Sequence, residues 1–252
     1  MLIIRKSVQK GVGFMKTKAV IFDKDGTLMD FESFWVTVSR YAISDILEKC
    51  SIKNVSADEV LPCLDVEDGI ANINGILAQD PYPVMANAIH SRLQKYGCKF
   101  TAGEMTEITI DSYHSNVDKG IVKPICNDII GVFSKLKKLG LILAVVTTDD
   151  PYDTKLCLEK LGIIDFFDEI YTDDGIMPPK PDPYCLNAFC EKYGIAKNEV
   201  IMVGDTLNDV NFAKRGNVKI IGVAKSKNNR DILSKSADLV MNDISQILDY
   251  LD

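Results

Sequence analysis

Two carboxylates separated by a single residue are the strongest chemical signal in this 252-residue sequence. Residues 23–28 have the sequence DKDGTL and directly follow the apolar run AVIF at 19–22. Such a run predicts a buried strand, whose end is a suitable place for a carboxylate and a Gly-Thr turn. Asp23 and Asp25 fit three roles: ligands of a hard cation, a nucleophile with a general acid/base, or turn formers. The pair alone leaves all three open.

Two further apolar runs also end in polar residues. Residues 141–146 lead into Thr147, and residues 200–203 lead into a Gly followed by Asp205, with Asp209 four positions later. Ligands of open parallel α/β sheets bind at the carboxyl ends of the strands. We therefore predict that these side chains lie beside the first carboxylate pair.

A single lysine stands among prolines between the second and third runs. Residues 178–183 have the sequence PPKPDP, and prolines restrict the backbone on both sides of Lys180. A cation held on a stiff loop near several carboxylates predicts charge compensation for a bound anion.

Together, the four motifs resemble in order and approximate spacing those of the haloacid dehalogenase superfamily, with the phosphoglycolate phosphatases as the nearest resemblance. The likeness covers residues 17–30 and 120–252. The second aspartate, Asp25, is similar to that of the phosphotransferases of this superfamily, whereas the dehalogenases proper lack it. The resemblance therefore implies phosphoryl chemistry.

The resemblance also implies a role for each motif residue. Asp23 is expected to attack phosphorus and form an aspartyl-phosphate, with Asp25 as the general acid/base. Thr147 is expected to donate its hydroxyl and backbone N–H to phosphoryl oxygens, and Lys180 to neutralise charge in the transition state. The implied cofactor is Mg²⁺, for which the expected ligands are Asp23, Asp25 through its backbone carbonyl, Asp205 and Asp209.

Two positions leave alternatives open. Asp209 either binds the metal through water, orients Lys180, or caps the helix that follows it. Lys24 replaces the apolar residue that frequently separates the two aspartates in the superfamily, and it either adds positive charge to the site or points to solvent.

The periodicity predicts an α/β protein with a doubly wound, mostly parallel, Rossmann-like sheet and an inserted all-helical cap domain. The core is expected at 17–30 and 120–252 and the cap at 31–119, with cap helices near 31–47, 66–79, 83–96 and 103–117. Beyond residue 124, strands at 141–146, 168–171, 200–203, 218–223 and 238–241 alternate with helices. Residues 1–16 are predicted to be an extension, either disordered or upstream of a true start at Met15.

Composition limits the partners. The net charge of −7 disfavours nucleic acid and anionic membranes as partners, and no apolar run approaches the about 18 residues that a membrane span needs. Seven scattered cysteines predict reduced thiols in a cytoplasmic protein. The expected assembly is a monomer or homodimer.

The sequence thus favours a Mg²⁺-dependent phosphatase acting on a small phosphorylated metabolite, either similar to 2-phosphoglycolate or a sugar phosphate. One alternative is a sugar-phosphate mutase resembling β-phosphoglucomutase. Those mutases typically carry Glu where this chain has Gly204, and a histidine early in the cap that residues 30–35 lack. The other alternative is a non-enzymatic phospho-accepting signalling module, which the Asp23/Asp25 pair disfavours.

Overall fold

The computed structural model of the protein describes residues 17–251. The extension predicted at residues 1–16 lies outside the described residues. The seven cysteines are free thiols. In the described part of the chain, no helix has the length and apolar character that crossing a membrane requires.

The strands, in chain order, are β1 (Ala19–Phe22), β2 (Val66–Glu67), β3 (Ile70–Ala71), β4 (Ile142–Val146), β5 (Glu169–Tyr171), β6 (Val200–Gly204), β7 (Lys219–Val223) and β8 (Leu239–Met241). The α-helices are α1 (Thr37–Lys49), α2 (Ala57–Val60), α3 (Ile76–Gln79), α4 (Tyr82–Gln94), α5 (Ala102–Asn116), α6 (Ile129–Lys138), α7 (Pro151–Lys160), α8 (Tyr184–Tyr193), α9 (Leu207–Gly216), α10 (Lys227–Leu233) and α11 (Leu248–Leu251). A π-helical segment, Glu32–Val36, precedes α1.

The chain divides into two compact units. One contains the described residues up to Thr27 together with Cys126–Thr154 and everything from Gly162 onward; the other contains Leu28–Ile125 and Lys155–Leu161. The assignment of 31–119 as a cap that serves the core stays a prediction.

The first unit contains a six-stranded sheet with the order β5-β4-β1-β6-β7-β8. All of its pairings are parallel within the described residues. β1 is central because its four residues are apolar and fully buried, as expected of a strand covered on both faces. The sheet order reverses beside β1, and such a switch point is where open α/β sheets bind ligands.

Helices cover both faces of this sheet. On one face, Ile21 belongs to a core cluster that includes Phe189 of α8 and Phe212 of α9. On the other face, the ring of Phe22 lies 5.2 Å from that of Phe133 in α6. Successive residues of a strand point to opposite faces, so β1 packs against both helical layers. The doubly wound α/β core predicted from the sequence is confirmed, as is the alternation of helices and strands beyond residue 124, with ends shifted by a few residues.

The second unit is mainly helical, with α1 and α4 both packed against α5. Its buried polar centre is a hydrogen bond of 2.9 Å that the hydroxyl of Tyr113 donates to Ser39. One expectation is wrong here: the helix predicted over 66–79 is replaced by an antiparallel hairpin of β2 and β3, and only α3 is helical. Asp68 and Gly69 form the turn with positive φ values of 50° and 77°. An Asp-Gly pair with this geometry favours a two-residue hairpin, a signal that overrides the helical spacing.

Candidate active site

The polar residues predicted at three strand ends lie on neighbouring strands of the first unit. β1 pairs with β4 on one side and β6 on the other, so Asp23, Thr147 and Asp205 follow three adjacent strands at the same sheet edge. The N–H of Asp23 donates to the carbonyl oxygen of Val203 at 2.8 Å, which anchors the residue to β6. The topology therefore brings the motifs together as predicted.

Lys180 joins two of the carboxylates. Its Nζ lies 2.5 Å from Oδ1 of Asp23 and 2.7 Å from Oδ1 of Asp209, and all three residues are buried. Burial alone would lower the pKa of Lys180, but the charges of Asp209 and Asp23 raise it above its usual value. The ammonium group is therefore fixed and charged beside the predicted nucleophile.

Asp209 makes the contacts of two of the roles considered for it, namely orienting Lys180 and capping a helix. One oxygen accepts from Lys180, while the other accepts from the backbone N–H of Thr206 at 3.0 Å and from its hydroxyl at 2.7 Å. The Thr206 hydroxyl in turn accepts from the N–H of Asp209 at 3.3 Å, which completes a capping box at the start of α9. Helix capping thus holds the carboxylate that orients Lys180.

Three carboxylates form a group suited to a metal ion. Asp23, Asp205 and Asp209 each offer an oxygen, and these oxygens all lie within 4.8 Å of one another. Three carboxylates face the single ammonium of Lys180, and carboxylate oxygens are the ligands that Mg²⁺ prefers. The donor set therefore fits a hard divalent cation, which would offset the excess negative charge.

The pKa values of Asp23 and Asp205 reflect their burial and the crowding of like charges in the site. Burial raises the pKa of Asp23 to about 7, with further increases from Asp209 and Asp25 that Lys180 partly opposes. Burial also raises the pKa of Asp205 well above its usual range, and the charges of Asp23 and Asp209 add to this effect. Like charges this close are costly in a protein interior, so the site favours a bound cation.

Asp25 lies outside that carboxylate group. Its Oδ2 is 2.7 Å from Nζ of Lys24, whose side chain is completely buried. The alternative in which Lys24 points to solvent is therefore wrong. The carboxylate of Asp25 is held by Lys24, and metal binding through its backbone carbonyl stays a prediction.

The hydrogen bonds of Thr147 differ in one respect from the expected ones. Its backbone N–H donates to the carbonyl oxygen of Tyr171 at 3.0 Å, because the ladder between β4 and β5 extends to this residue. The expectation that this N–H binds a phosphoryl oxygen is therefore wrong. The buried hydroxyl accepts from the N–H of Asp149 at 3.2 Å and keeps its own proton to donate.

Sequence reasoning left the role of Lys24 open and assigned none to Asp149, although both residues contribute to this region. Lys24 and Asp149 form an ion pair at 2.7 Å. The available signal was the motif itself, since a charged residue stands at the position between the aspartates where an apolar one is common.

We expect Gly26→Ala to damage the site. Gly26 has a φ of +75°, and a Cβ there would lie 2.0 Å from Oδ2 of Asp205. The left-handed conformation costs a non-glycine residue about 1–2 kcal/mol, and Asp205 would also have to move. We expect a lower melting temperature and a loss of phosphate release, measured in parallel. Gly103→Ala is the matched control: nothing lies within 4 Å of its Cβ position, so neither quantity should fall. Full activity of Gly26→Ala would show that Asp205 need not occupy its present position.

Comparison with known proteins defines the class. The profile of the haloacid dehalogenase-like hydrolases matches residues 20–223, which includes every predicted site residue. The chain belongs to this family.

Comparison with individual relatives gives more specific information on the activity. The chain is 25% identical over 237 residues to a phosphoglycolate phosphatase of Thiobacillus denitrificans, covering 91% of this chain and 93% of the relative. The family and such relatives support phosphatase activity, and they identify the chain as an enzyme, not a signalling module.

Solved structures share the fold. A predicted phosphoglycolate phosphatase from Haemophilus somnus superposes with a TM-score of 0.71 at 20% identity, covering 95% of this chain and all of the other. A predicted β-phosphoglucomutase from Thermotoga maritima superposes with a TM-score of 0.68 at 20% identity, covering 93% of this chain and 98% of the other. At these identities, the two structures show the shared fold alone.

Proposed function

We propose that this enzyme hydrolyses the phosphate monoester of a small metabolite through an aspartyl-phosphate at Asp23, in a reaction that depends on Mg²⁺. The observation that carries the proposal is the buried Asp23 carboxylate, 2.5 Å from a fixed ammonium and grouped with two further carboxylates. This arrangement provides a nucleophile, a cation and a set of metal ligands at one sheet edge.

In the first step, an oxygen of Asp23 attacks phosphorus. A P–O(Asp) bond forms, the bond from phosphorus to the leaving oxygen breaks, and Asp25 in its protonated form gives its proton to the leaving alkoxide. The alcohol departs and leaves a phosphoryl group on Asp23. Covalent catalysis of this kind divides hydrolysis into two easier reactions.

Residues of this chain compensate the charge of the phosphoryl group, and a bound metal ion would add to this compensation. The Lys180 ammonium lies beside Asp23, and the Thr147 hydroxyl has a proton to donate to a phosphoryl oxygen. Mg²⁺ held by Asp23, Asp205 and Asp209 would supply Lewis-acid stabilisation of the phosphoryl charge. Asp209 would serve as a ligand of this ion, and it also orients Lys180.

In the second step, Asp25, now a carboxylate, takes a proton from water while the water oxygen attacks phosphorus. The P–O(Asp) bond breaks, inorganic phosphate leaves, and Asp23 and Asp25 return to their starting protonation states. The sum of the two steps is monoester plus water giving alcohol plus phosphate. One carboxyl group thus acts first as acid and then as base.

The proposed substrate class is a small phosphorylated metabolite, either 2-phosphoglycolate or a sugar phosphate. The similarity to the phosphoglycolate phosphatase of Thiobacillus denitrificans, which covers 91% of this chain, supports 2-phosphoglycolate. The net charge of −7 disfavours a nucleic-acid substrate.

Phosphate release from a panel of phosphorylated metabolites tests the proposal. The panel contains 2-phosphoglycolate, sugar phosphates, nucleotides and pyrophosphate, each with Mg²⁺ and with a chelator. We expect release concentrated on one monoester and abolished by the chelator. Isomerisation of a sugar phosphate without release would favour the mutase. No reaction with any monoester in a folded enzyme that binds Mg²⁺ would refute the proposed hydrolysis.

A further inference from the structure

Lys24 is a buried charged residue that the reaction described above does not use. Its side chain has no solvent exposure, although it stands between the proposed nucleophile and the proposed acid/base in the sequence. Lysine is almost never fully buried unless it is paired. Its partners therefore account for its position.

The ammonium of Lys24 bridges two loops. It lies 2.7 Å from Oδ2 of Asp25, in the loop after β1, and 2.7 Å from Oδ2 of Asp149, in the loop after β4. The exposed fractions of these two carboxylate side chains are 15% and 17%. Ion pairs between groups that are mostly buried are screened by salt much less than ion pairs on the surface.

Asp149 is itself held in place by its backbone. Its N–H donates to the hydroxyl of Thr147 at 3.2 Å, and its carbonyl oxygen accepts from the N–H of Asp173 at 2.8 Å. Lys24 is therefore anchored to a loop whose geometry is set by β4 and by the segment after β5. The position of the Asp25 carboxylate follows from that anchor.

We infer that Lys24 is a positioning residue that holds the Asp25 carboxyl group for proton transfer and couples it to the Thr147 loop. The inference rests on the proposed function, because it assigns Asp25 the role of acid and base. A side chain that must protonate the leaving oxygen and then activate water needs one orientation in both steps. An apolar residue at position 24 would supply packing but no hydrogen-bond donor.

The alternative is that Lys24 only neutralises two carboxylates and so stabilises the fold. Removing one partner of a buried ion pair leaves an uncompensated charge and is strongly destabilising. That role predicts lower stability and a smaller fraction of competent enzyme, with each competent molecule turning over normally. A positioning role predicts a change within each turnover, which kinetics can separate from stability.

The test is pre-steady-state kinetics of Lys24→Met with p-nitrophenyl phosphate, beside steady-state kinetics with an alkyl phosphate monoester. The p-nitrophenolate leaves without being protonated, so phosphorylation of Asp23 continues while activation of water is impaired. We expect a burst of one p-nitrophenolate per active site and a subsequent rate about 100-fold below wild type, the lower end of the usual contribution of a positioned acid/base. With the alkyl monoester, kcat should fall by at least about 100-fold, while KM changes by less than about threefold.

A control variant, a binding measurement and a second test variant accompany Lys24→Met. Lys155→Met removes a lysine whose side chain is 68% exposed and should leave kcat unchanged. Calorimetric titration with Mg²⁺ should give the same affinity for Lys24→Met as for wild type, which separates positioning from metal binding. Asp149→Asn keeps Lys24 but weakens its anchor, and we expect the same burst with a smaller loss of about tenfold. If Lys24→Met does not fold, Asp149→Asn decides the question.

A Lys24→Met enzyme with wild-type kcat, or with activity reduced only in proportion to its active-site concentration, would overturn the inference. So would wild-type kinetics of Asp149→Asn in the case where Lys24→Met is unfolded. Failure of the proposed function is a different result, because wild-type enzyme would then release no phosphate and form no phosphorylated protein.

Discussion

Asp23→Asn should reduce steady-state phosphate release by at least about 1000-fold, because an amide cannot form the acyl phosphate that the proposed reaction passes through. Asn has the shape of Asp, so the packing around β1 should persist. Lys180 would keep Asp209 as its partner at 2.7 Å. The loss should therefore appear in kcat without unfolding.

Two measurements check this result. Phosphate release from the preferred substrate gives the rate, and intact-protein mass spectrometry of enzyme quenched during turnover detects the phosphorylated chain in wild type but not in the variant. Asp165→Asn is the matched control, because this exposed aspartate lies in the same unit outside the site. It should retain full activity. An unchanged rate for Asp23→Asn would falsify covalent catalysis by Asp23.

Asp205→Asn should weaken Mg²⁺ binding by about 100-fold or more, since it replaces one of three clustered carboxylates with a neutral amide. The hydroxyl of Thr27 donates to Oδ1 of Asp205 at 3.3 Å, and an amide oxygen can accept the same bond. The expected change is therefore in affinity for the metal, with little change in the local structure. Activity should fall steeply at low Mg²⁺ and recover in part at high Mg²⁺.

Calorimetric titration of substrate-free enzyme with Mg²⁺ measures this affinity directly. Asp165→Asn again serves as the control and should bind as wild type does. Chelation of the metal in wild-type enzyme should abolish phosphate release. Addition of excess Mg²⁺ should restore it. If Asp205→Asn binds Mg²⁺ as tightly as wild type, the cation site lies elsewhere and the carboxylate group has only a structural role.

The sequence by itself determined the class of fold, the strand ends and the residues placed there. Apolar runs of four to six residues ending in Asp23, Thr147 and Gly204 have local patterns that burial in a parallel sheet enforces. The motif order was sufficient to indicate the superfamily. These features are local in sequence, so they could be recognised before any contact was known.

The hairpin at 66–71 shows where local patterns compete. Apolar spacing favoured a helix, whereas the Asp68-Gly69 pair allowed the positive φ values of a tight turn. The pairing of β2 with β3 decides between them, and pairing is a contact between segments. Periodicity in one segment could not settle that choice.

Only the tertiary structure decided how the site's charges are distributed. Lys180 lies 157 residues from Asp23 in the chain, and its choice of Asp23 and Asp209 as partners depends on the strand order β4-β1-β6. Lys24 is adjacent to both aspartates in sequence, yet its burial and its pairing with Asp149 depend on the neighbouring loop after β4. Residue type and spacing specify which groups are present at a strand end. Ion pairing depends on distance and solvent exclusion, and these arise when separate segments pack together.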